Sequence, residues 1–390
     1  MFYTLSDFDF NAKRVLVRVD FNVPQDSSGN ITDDSRIRKA LPTINLVLDK
    51  NPQQVIVCSH LGRPEGKINS KYSMKPIAQR FKELLGQEVY FESNPEIRKL
   101  QSLNNSKIIV LENLRFDPGE EAGDREFAEK LASFADLFVF DAFGVAHRAH
   151  ASVTGVPKFL KSCAGQIMEN EVKNLDLTNP EQPFIAIIGG AKADKIDVMR
   201  TLLAKVDKLI LGGVLANTFL KARGTPIGAS RYDEETLKFA KEIIEQAKNK
   251  IVFPLDALLG NNFSADADSK MVDIQNVENG WLILDIGPRT VELYKSLLQQ
   301  AKTIFWAGPI GVFEFDRFAN GTKEVALTLA ECKARTIIGG GDSGAAIEKY
   351  NLGCRMTWIS TGGGASLEYI SGKQLPGIVA LQDNYKTFKG

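Results

Sequence analysis

The feature that most constrains the fold is an alternation of short β-branched runs with stretches that have helical spacing. In the first part of the chain the runs cover residues 15–19, 55–58, 108–111 and 138–140. Between the first two runs, Ile37, Leu41 and Ile44 fall on one face of a predicted helix, which Asn51 and Pro52 end. This alternation is typical of a parallel sheet whose two faces are covered by helices.

Charged and amide side chains follow each of these four runs. In chain order they are Asp20 with Asn22, His60 with Arg63, Arg115, and His147 with Arg148. The carboxyl ends of parallel strands meet at one edge of the sheet, where open α/β proteins bind ligands. Because the planar fork of arginine suits phosphate and carboxylate, the first half predicts a site for a small molecule with several negative charges.

In the second half of the chain glycines follow the strand-like runs, whereas charged residues follow those of the first half. They cover residues 185–188, 209–211, 283–286, 303–306, 336–338 and 356–360. Bare backbone lets N–H groups approach an oxyanion closely, and the N-terminus of a following helix favours negative charge. The second half therefore predicts a parallel-sheet domain that holds a polyphosphate.

Apolar residues recur at helical spacing between these halves, at Leu160, Ala164, Ile167, Met168, Val172 and Leu175. They predict one long helix from about 157 to 177, which a proline-containing segment at 178–183 ends. The chain has 390 residues, which favours two domains. We predict an α/β fold of two doubly wound parallel-sheet domains, over 1–156 and 179–372, joined by a long connecting helix and hinge over 157–178. An ordinary core helix would have the same spacing, and the sequence leaves both open.

The composition excludes several classes of protein. Lys plus Arg and Asp plus Glu number 48 each, so the basic excess of a dedicated nucleic-acid binder is absent. The sequence has no basic, apolar leader and no apolar stretch near the about 18 residues that span a bilayer. The four cysteines are widely spaced, which fits a reducing compartment. We expect a cytoplasmic protein that binds neither nucleic acid nor membrane.

The segment 339–344 fits the dinucleotide pattern G-x-G-x-x-G after a strand-like run. Asp342 within it would repel a pyrophosphate unless a cation lay between, so this residue is a candidate Mg²⁺ ligand. A plain turn or helix-capping aspartate is the alternative. An NAD-dependent dehydrogenase is disfavoured because no acidic residue follows at a strand end about 20 residues on.

The sequence lacks the G-x-x-x-x-G-K-[ST] pattern, so a phosphate-binding lysine has to be sought by other features. Lys192 follows a strand-like run and two glycines, where a cation is disfavoured by the dipole of the next helix, so its placement favours a role at a phosphoryl group over a surface position. Lys195 has a weaker case. Among the histidines, His60 is expected to contact an anion, and for His150 a structural role is at least as plausible. Arg18 lies within a run and could point away from the predicted site.

Eight motifs carry a resemblance to a known family. They are V-R-V-D-F-N-V-P (17–24), S-H-L-G-R-P (59–64), L-E-N-L-R-F (111–116), D-A-F-G-x-A-H-R-A-H-A-S (141–152), G-G-A-K (189–192), G-P-I-G-V-F-E (308–314), G-G-G-D-S (339–343) and S-T-G-G-G-A-S-L-E (360–368). In these motifs and their order, over nearly the whole chain, the sequence resembles the phosphoglycerate kinase family. The resemblance implies an acid-binding N-terminal domain, a nucleotide-binding C-terminal domain, a monomer, and a tail over 373–390 that packs back on the first domain.

The resemblance also implies the ligands and their residues. The acid ligand, 3-phosphoglycerate or 1,3-bisphosphoglycerate, would be held by Asp20, Phe21, Asn22, Arg36, His60, Leu61, Gly62, Arg63, Arg115 and Arg148. ATP or ADP would be held by Lys192, Glu314, Gly340, Gly341, Asp342 and Ser343, with Mg²⁺ at Asp342. Arg36 and Lys192 would be catalytic and stabilise the phosphoryl group in flight, and no general base is required because the acceptor carboxylate is already a nucleophile. The two domains would close on each other to exclude water.

Three departures from the family pattern lie on the nucleotide side. Ala307 stands where the family usually has asparagine, Ile283 where it usually has glycine, and Lys192 and Lys195 are one residue closer than usual. They leave open a second reading: a non-catalytic phosphoglycerate-binding paralogue with an altered nucleotide site.

Overall fold

The computed structural model describes residues 1–103, 107–190, 195–247 and 249–389. The chain divides into two compact units. Unit 1 comprises Met1–Lys173 and Gln374–Gly390, and unit 2 comprises Asn174–Lys373. In the part of the chain that is described, no helix is both long and apolar enough to cross a membrane.

Unit 1 is built on a parallel sheet. Its strands are β1 (Arg14–Val19), β2 (Gln54–Cys58), β3 (Tyr90–Glu92), β4 (Ile108–Leu111), β5 (Leu137–Asp141) and β6 (Ser162–Ala164). The described strands lie in the order β3-β4-β2-β1-β5-β6, and each neighbouring pair is parallel. The four predicted strands are therefore confirmed, and their carboxyl ends meet at one edge.

Helices cover this sheet. They are α1 (Ser35–Asp49), α2 (Lys75–Leu85), α3 (Ile97–Ser102), α4 (Pro118–Ala122), α5 (Arg125–Ala132) and α6 (Gln166–Leu175), of which the last contains the boundary with unit 2. The predicted apolar face of α1 is confirmed, because Ile37, Ile44 and Val47 are fully buried. Each such side chain contributes about 1.5–3 kcal/mol by leaving water.

The long helix predicted over 157–177 is shorter in the structure. Residues 156–158 form a 3-10 turn, and Ser162–Ala164 form β6, in which Cys163 pairs with Val139 of β5. Only from Gln166 does the chain become α-helical. The apolar spacing was ambiguous because the sheet offers this short segment a pairing partner, which overrides a local helical preference. Asp141 then accepts hydrogen bonds from the N–H groups of Ile167 (2.7 Å) and Met168 (3.3 Å) at the start of α6.

Unit 2 contains a second parallel sheet. Its elements are β7 (Phe184–Ile188), α7 (Ile196–Leu203), β8 (Lys208–Leu211), α8 (Gly213–Ala222), α9 (Glu234–Ala247), β9 (Ile251–Val252), β10 (Asp256–Gly260), β11 (Ser269–Asp273), β12 (Leu282–Ile286), α10 (Pro288–Leu298), β13 (Thr303–Ala307), α11 (Asn320–Glu331), β14 (Arg335–Gly339), α12 (Gly341–Lys349), β15 (Trp358–Ile359) and α13 (Gly364–Ile370). The described strands of this sheet lie in the order β15-β14-β13-β7-β8-β9 and are parallel. The predicted fold class, two α/β domains on parallel sheets, is confirmed.

One predicted strand of the second parallel sheet lies elsewhere. The run at 283–286 belongs to β12, which pairs antiparallel with β10 in a small sheet of the order β11-β10-β12. Ile283 lies opposite Leu259, and Ile286 lies opposite Ala257. A short apolar run does not reveal its partner strand or the direction of that strand, so only the tertiary structure separates the two sheets.

The C-terminal segment of the chain belongs to unit 1. Its helix, α14 (Pro376–Phe388), carries Asn384, a buried residue. The side chain of Asn384 accepts from the Ser162 N–H (2.9 Å) and donates to the carbonyl oxygens of Pro157 (2.6 Å) and Leu160 (2.7 Å). One amide thus satisfies the backbone around the start of β6.

Candidate active site

The carboxyl edge of the unit 1 sheet brings Asp20 and Arg36 together. Asp20 directly follows β1, and Arg36 lies in the first turn of α1. Nη1 of Arg36 donates to Oδ2 of Asp20, and the Arg36 side chain keeps 35% of its surface exposed. Because a guanidinium has five N–H donors, the pair leaves Arg36 able to bind an anion.

Neighbouring charges keep Asp20 ionised. Burial by itself raises the pKa of the Asp20 carboxyl. At low pH, where His60 can take up a proton, the positive charges of His60 and Arg36 outweigh the effect of burial. Arg18 and the N–H of Asn22 act in the same direction, so the pKa lies below its ordinary value. At neutral pH Asp20 is therefore a carboxylate that orients Arg36.

A second group of predicted residues is linked through Gly62. The N–H of Gly62 donates to Oδ1 of Asn22 (2.9 Å), and its carbonyl accepts from Nη1 of Arg115 (2.8 Å). Gly62 has φ +60°, and a Cβ there would lie 2.4 Å from the ring of Tyr72. Glycine is therefore required, and the turn fixes Asn22 and Arg115 relative to each other.

His60 is buried, and Nη2 of Arg18 lies 3.3 Å from its Nδ1. Arg18, whose direction the sequence left open, thus points to the back of the predicted site. Two other predicted binding residues, Phe21 and Leu61, have buried side chains. Phe21 packs against the ring of Phe81 with 5.4 Å between centroids, so its side chain serves the core.

Arg63 and Arg148 are the exposed cations of this edge. Within the described residues, neither side chain makes a hydrogen bond or an ion pair. Arg63 lies close enough to Arg115, and Arg148 to His150, to disfavour positive charge there. We call Arg36, His60, Arg63, Arg115 and Arg148 the basic rim, and an anion would relieve the repulsion within it.

Sequence reasoning missed Glu120 and Ser152, which lie behind the basic rim. Asp117 caps α4 by accepting from the Gly119 N–H (2.9 Å), and this short helix carries Glu120 into the interior. Oε1 of Glu120 lies 3.8 Å from Nδ1 of His150. Burial, with repulsion from the nearby arginines, lowers the pKa of His150 to about 4, so His150 is neutral at neutral pH. No pattern in the sequence indicated that Glu120 is buried, because a glutamate in the first turn of a helix is ordinarily solvated.

Unit 2 holds a cavity of about 490 Å³ at the ends of its strands. Its walls combine glycines and apolar side chains, and Glu314 and Asp342 reach it. The lining includes Gly190, Gly212, Gly213, Leu220, Ile283, Leu284, Ile310 and Val312. An apolar pocket with a few polar groups suits a small ligand with a flat, apolar part.

The glycines around this cavity serve two different purposes. A Cβ on Gly189 would lie 2.0 Å from the carbonyl oxygen of Pro309, so Gly189 is required for contact between loops. Gly340 has φ +87°, and a Cβ on Gly341 would meet nothing within 4 Å. The space beside Gly340 and Gly341, at the start of α12, therefore lets a ligand approach the backbone N–H groups.

Ser343 and Asp342 lie in the same turn of α12, but one side chain is buried and the other is exposed. Oγ of the buried Ser343 accepts from the Gly308 N–H (2.7 Å) and donates to the Gly339 carbonyl (2.8 Å), so it ties two loops together. Asp342 is exposed and lines the cavity. The described residues contain no group of three or more potential metal ligands. Asp342 is a single carboxylate, and Mg²⁺ commonly takes one or two carboxylates besides phosphate oxygens.

The lysine segment is only partly described. Lys192, predicted to be catalytic, lies outside the described residues. Nζ of Lys195 is buried and donates to the carbonyl oxygens of Gly189 and Ala307, the latter at 3.3 Å. Ala307 also accepts from the Gly189 N–H (2.8 Å). Lys195 thus satisfies backbone carbonyls between two loops.

All five residues of β12 line the cavity, and hydrogen bonds hold Ile283 and Asp285 in place. The N–H of Ile283 donates to Oγ of Ser230 (2.8 Å), which fixes this strand at the cavity wall. Asp285 is buried and accepts from the N–H groups of Gly321 (2.8 Å) and Ile286 (2.9 Å). Burial raises the pKa of Asp285 to about 7, against these hydrogen bonds.

The chain is similar to known proteins over nearly its whole length. A family model described as phosphoglycerate kinase matches residues 5–373. The phosphoglycerate kinase of Nostoc punctiforme is 51% identical over 395 residues, which cover 97% of this chain and 98% of that protein. That of Moorella thermoacetica is 48% identical over 390 residues, with 97% and 99% covered.

Solved structures are similar as well. The phosphoglycerate kinase structure from Coxiella burnetii has a TM-score of 0.89 and 40% identity, covering 98% of this chain and 99% of that one. The structure from Pyrococcus horikoshii has a TM-score of 0.87 and 32% identity, covering 99% and 100%. Matches of this extent in both sequence and fold establish that the chain belongs to the phosphoglycerate kinase family.

Proposed function

We propose that the chain transfers a phosphoryl group reversibly between 1,3-bisphosphoglycerate and Mg-ADP, giving 3-phosphoglycerate and ATP. Membership of its family makes the chain a glycolytic kinase, a transferase. The observation that carries the specific reaction is the basic rim, in which Arg63 and Arg148 have no ion-pair partner among the described residues. Five cationic or N–H-donating groups at one sheet edge suit a ligand with a carboxylate and a phosphate.

The acid site is proposed to consist of Asp20, Phe21, Asn22, Arg36, His60, Leu61, Gly62, Arg63, Arg115 and Arg148. Arg36 is proposed to stabilise charge on the phosphoryl group, because its guanidinium is oriented by Asp20 and still exposed. The substrate carboxylate attacks directly, so no residue has to remove a proton. The side chains of Phe21 and Leu61 are buried, which limits them to shaping the backbone of this site.

The nucleotide is proposed to lie in the cavity of unit 2, with its phosphates at Gly340, Gly341, Asp342 and Ser343 and with Glu314 at the lining. Lys192 is proposed to follow the transferring phosphoryl group, and this role rests on the family resemblance. When bound at Asp342 with the nucleotide, Mg²⁺ would neutralise charge on the phosphates. Gly340 and Gly341 offer backbone N–H groups at the start of α12, where negative charge is favoured.

Further parts of the proposal concern the whole molecule. Transfer requires the acid and the nucleotide to meet, so the proposal includes hinge bending at the segment 157–178. It also includes a monomer that acts in the cytoplasm, with small-molecule substrates and without nucleic-acid or membrane partners. Small-angle scattering with and without both ligands tests the hinge, and sedimentation analysis tests the monomer. An unchanged radius of gyration with both ligands bound would contradict the hinge.

A coupled assay tests the reaction directly. The protein is mixed with 3-phosphoglycerate, ATP and Mg²⁺. An added dehydrogenase reduces the acyl phosphate with NADH, and the loss of NADH absorbance reports its formation. We expect turnover that requires all three components. Absence of turnover in both directions with a folded protein would refute the proposal.

The departures from the family pattern at the proposed nucleotide site favour a second candidate function, that of a non-catalytic protein that binds 3-phosphoglycerate. Ile283 lines the cavity with a bulky side chain, which is the specific observation behind it. Calorimetry separates the two candidates. Measurable binding of Mg-ADP excludes the second one, and binding of 3-phosphoglycerate without any binding of Mg-ADP supports it.

A further inference from the structure

A buried chain of hydrogen bonds runs from α4 to the basic rim. Oε1 of Glu120 accepts from Oγ of Ser152 (2.6 Å), and its Oε2 accepts from the Ser152 N–H (2.9 Å). Nε of Arg18 donates to Oγ of Ser152 (3.0 Å), and Nη2 of Arg18 lies 3.3 Å from Nδ1 of His60. Arg18, Glu120 and Ser152 are fully buried and His60 is 3% exposed, so water does not compete with this chain.

The direction of each hydrogen bond follows from the groups involved. A guanidinium donates and has no acceptor, so Arg18 occupies a lone pair of Ser152 Oγ. The hydroxyl hydrogen of Ser152 is then directed to Glu120, whose other oxygen already accepts the Ser152 N–H. Nη1 of Arg18 donates to the carbonyl of Val19, which leaves Nη2 for the histidine. Glu120 thus sets the orientation of Arg18 through one intermediate side chain.

Arg18 in turn determines the state of His60. Since Nη2–H can only donate, Nδ1 of His60 must accept, and it can do so only without a hydrogen of its own. In a neutral imidazole the hydrogen then lies on Nε2, because the tautomer is set by the bond that the other nitrogen makes. Protonation of Nδ1 would place an N–H against an N–H of Arg18.

We propose that Arg18, oriented by Ser152 and Glu120, is a positioning residue that holds His60 as the neutral tautomer with its hydrogen on Nε2. His60 then gives the acid site one directed N–H donor, and the positive charge of the site comes from its arginines. The proposal deepens the proposed function, on which its substrate readout rests. Its tautomer readout does not depend on that function.

The electrostatics of the site agree with this assignment. Burial lowers the pKa of His60 well below its ordinary value, and Asp20 opposes this change. Arg18, Arg115 and Arg36 lower the pKa of His60 further. A neutral His60 also avoids adding a further cation to a rim that already holds several arginines. An N–H donor contributes direction to the binding of a phosphate or carboxylate, while arginine contributes charge.

The first experiment uses the unmodified protein. Two-dimensional NMR of the ¹⁵N-labelled imidazole rings, assigned by comparison with His60→Gln, reports which nitrogen of His60 carries hydrogen. We expect Nε2 protonated and Nδ1 bare between about pH 6 and 8, near and above the unperturbed histidine pKa. A hydrogen on Nδ1, or an imidazolium at neutral pH, would overturn the proposal.

The second experiment breaks the chain at its far end. Glu120→Gln keeps the size of the side chain but adds N–H donors, and Ser152→Ala removes the link. In both we expect the tautomer preference of His60 to weaken. We also expect KM for 3-phosphoglycerate to rise about ten- to a hundredfold while KM for ATP is unchanged, as for a lost hydrogen bond to a charged group. The matched control is Glu126→Gln, which alters an exposed glutamate of α5.

The outcomes separate the two proposals. An unchanged tautomer and an unchanged KM for 3-phosphoglycerate in Ser152→Ala overturn the positioning role, even if Glu120→Gln fails to fold. If the wild-type protein shows the Nε2–H tautomer but no turnover, the kinase reaction fails and the positioning role stands. If turnover is present and His60 is an imidazolium, only the positioning role fails.

Discussion

The two candidate sites of this chain are held by different kinds of contact. At the basic rim of unit 1, several contacts join two side chains: Asp20 pairs with Arg36, and Arg18 contacts His60. The backbone of Gly62 is also held there by side chains, those of Asn22 and Arg115. Around the cavity of unit 2, side chains hold backbone instead, as Ser343 does at the N–H of Gly308. A small acid with several charges is recognised by charged groups at fixed positions, whereas a nucleotide is recognised by backbone donors and an apolar cavity. The difference predicts which substitutions damage chemistry and which damage the fold.

The largest expected effect is at the basic rim. Arg36→Ala should lower kcat/KM by about two to four decades, because it removes a charge that stabilises the phosphoryl group in the transition state. The coupled assay measures it. Arg38→Ala is the control, since Arg38 lies on the same helix but pairs with Asp34 (2.7 Å) and is 55% exposed. Full activity in Arg36→Ala would remove the catalytic role assigned to it.

Lys192→Ala extends this test to the nucleotide side. If Lys192 follows the phosphoryl group, kcat should fall by a similar factor of about two to four decades while the KM for 3-phosphoglycerate is kept. A loss confined to the KM for ATP would instead indicate that Lys192 only binds the nucleotide.

Two glycines of unit 2 are expected to have different roles, one in the stability of the fold and the other in ligand binding. Gly189→Ala places a Cβ 2.0 Å from the Pro309 carbonyl and should lower the free energy of unfolding by about 1–3 kcal/mol. Gly341→Ala meets nothing within 4 Å and should leave stability within about 1 kcal/mol while weakening ADP binding. Urea unfolding and calorimetry measure the two effects. Equal losses of stability would show that both glycines are structural.

The pH dependence of stability should differ between the units. Burial raises the pKa of Asp285 to about 7 and that of Asp141 to about 6, so each binds a proton more tightly folded than unfolded. The stability contributed by each group is therefore greatest at low pH. The contribution of Asp285 in unit 2 is lost as the pH rises to about 7, and that of Asp141 in unit 1 as it rises to about 6. Each contribution falls by at most about 1.4 kcal/mol per pH unit.

Asp285→Asn tests this difference. The variant cannot ionise, so its unfolding free energy between pH 5 and 8 should fall less steeply than that of the wild type, by up to about 1.4 kcal/mol per pH unit. Urea titrations across that range measure the slope. The same slope in variant and wild type would mean that Asp285 is already ionised at pH 5.

The smallest expected effect concerns the cavity wall. If Ile283 narrows the site for the base, Ile283→Ala should bind ADP about threefold more tightly, which is less than 1 kcal/mol. Ile243→Ala, at a buried isoleucine of α9 outside the cavity, should lose stability without changing ADP affinity. Weaker binding of ADP by Ile283→Ala would mean that the side chain contacts the nucleotide favourably.

Periodicity and strand-end chemistry predicted much of the fold and part of the site. The runs that became β1, β2, β4 and β5 could be read directly, because a buried parallel strand is mostly apolar, even though β1 also contains Arg18. The position of Arg36 could not be read, because a turn-rich segment precedes it. β6 and the antiparallel sheet were also missed, because a short apolar segment does not indicate which strand it will pair with.

The sequence by itself determined where strands end and which residues stand there, and its motifs indicated the family. Only the tertiary structure decided that Arg18 turns inward to His60, that Glu120 is buried behind the basic rim, and that Gly189 serves loop contact while Gly341 leaves room for a ligand. The physical reason is that the spacing of residues along a strand or helix is local, whereas burial and hydrogen-bond partners depend on segments more than a hundred residues apart, as Arg18 and Ser152 are.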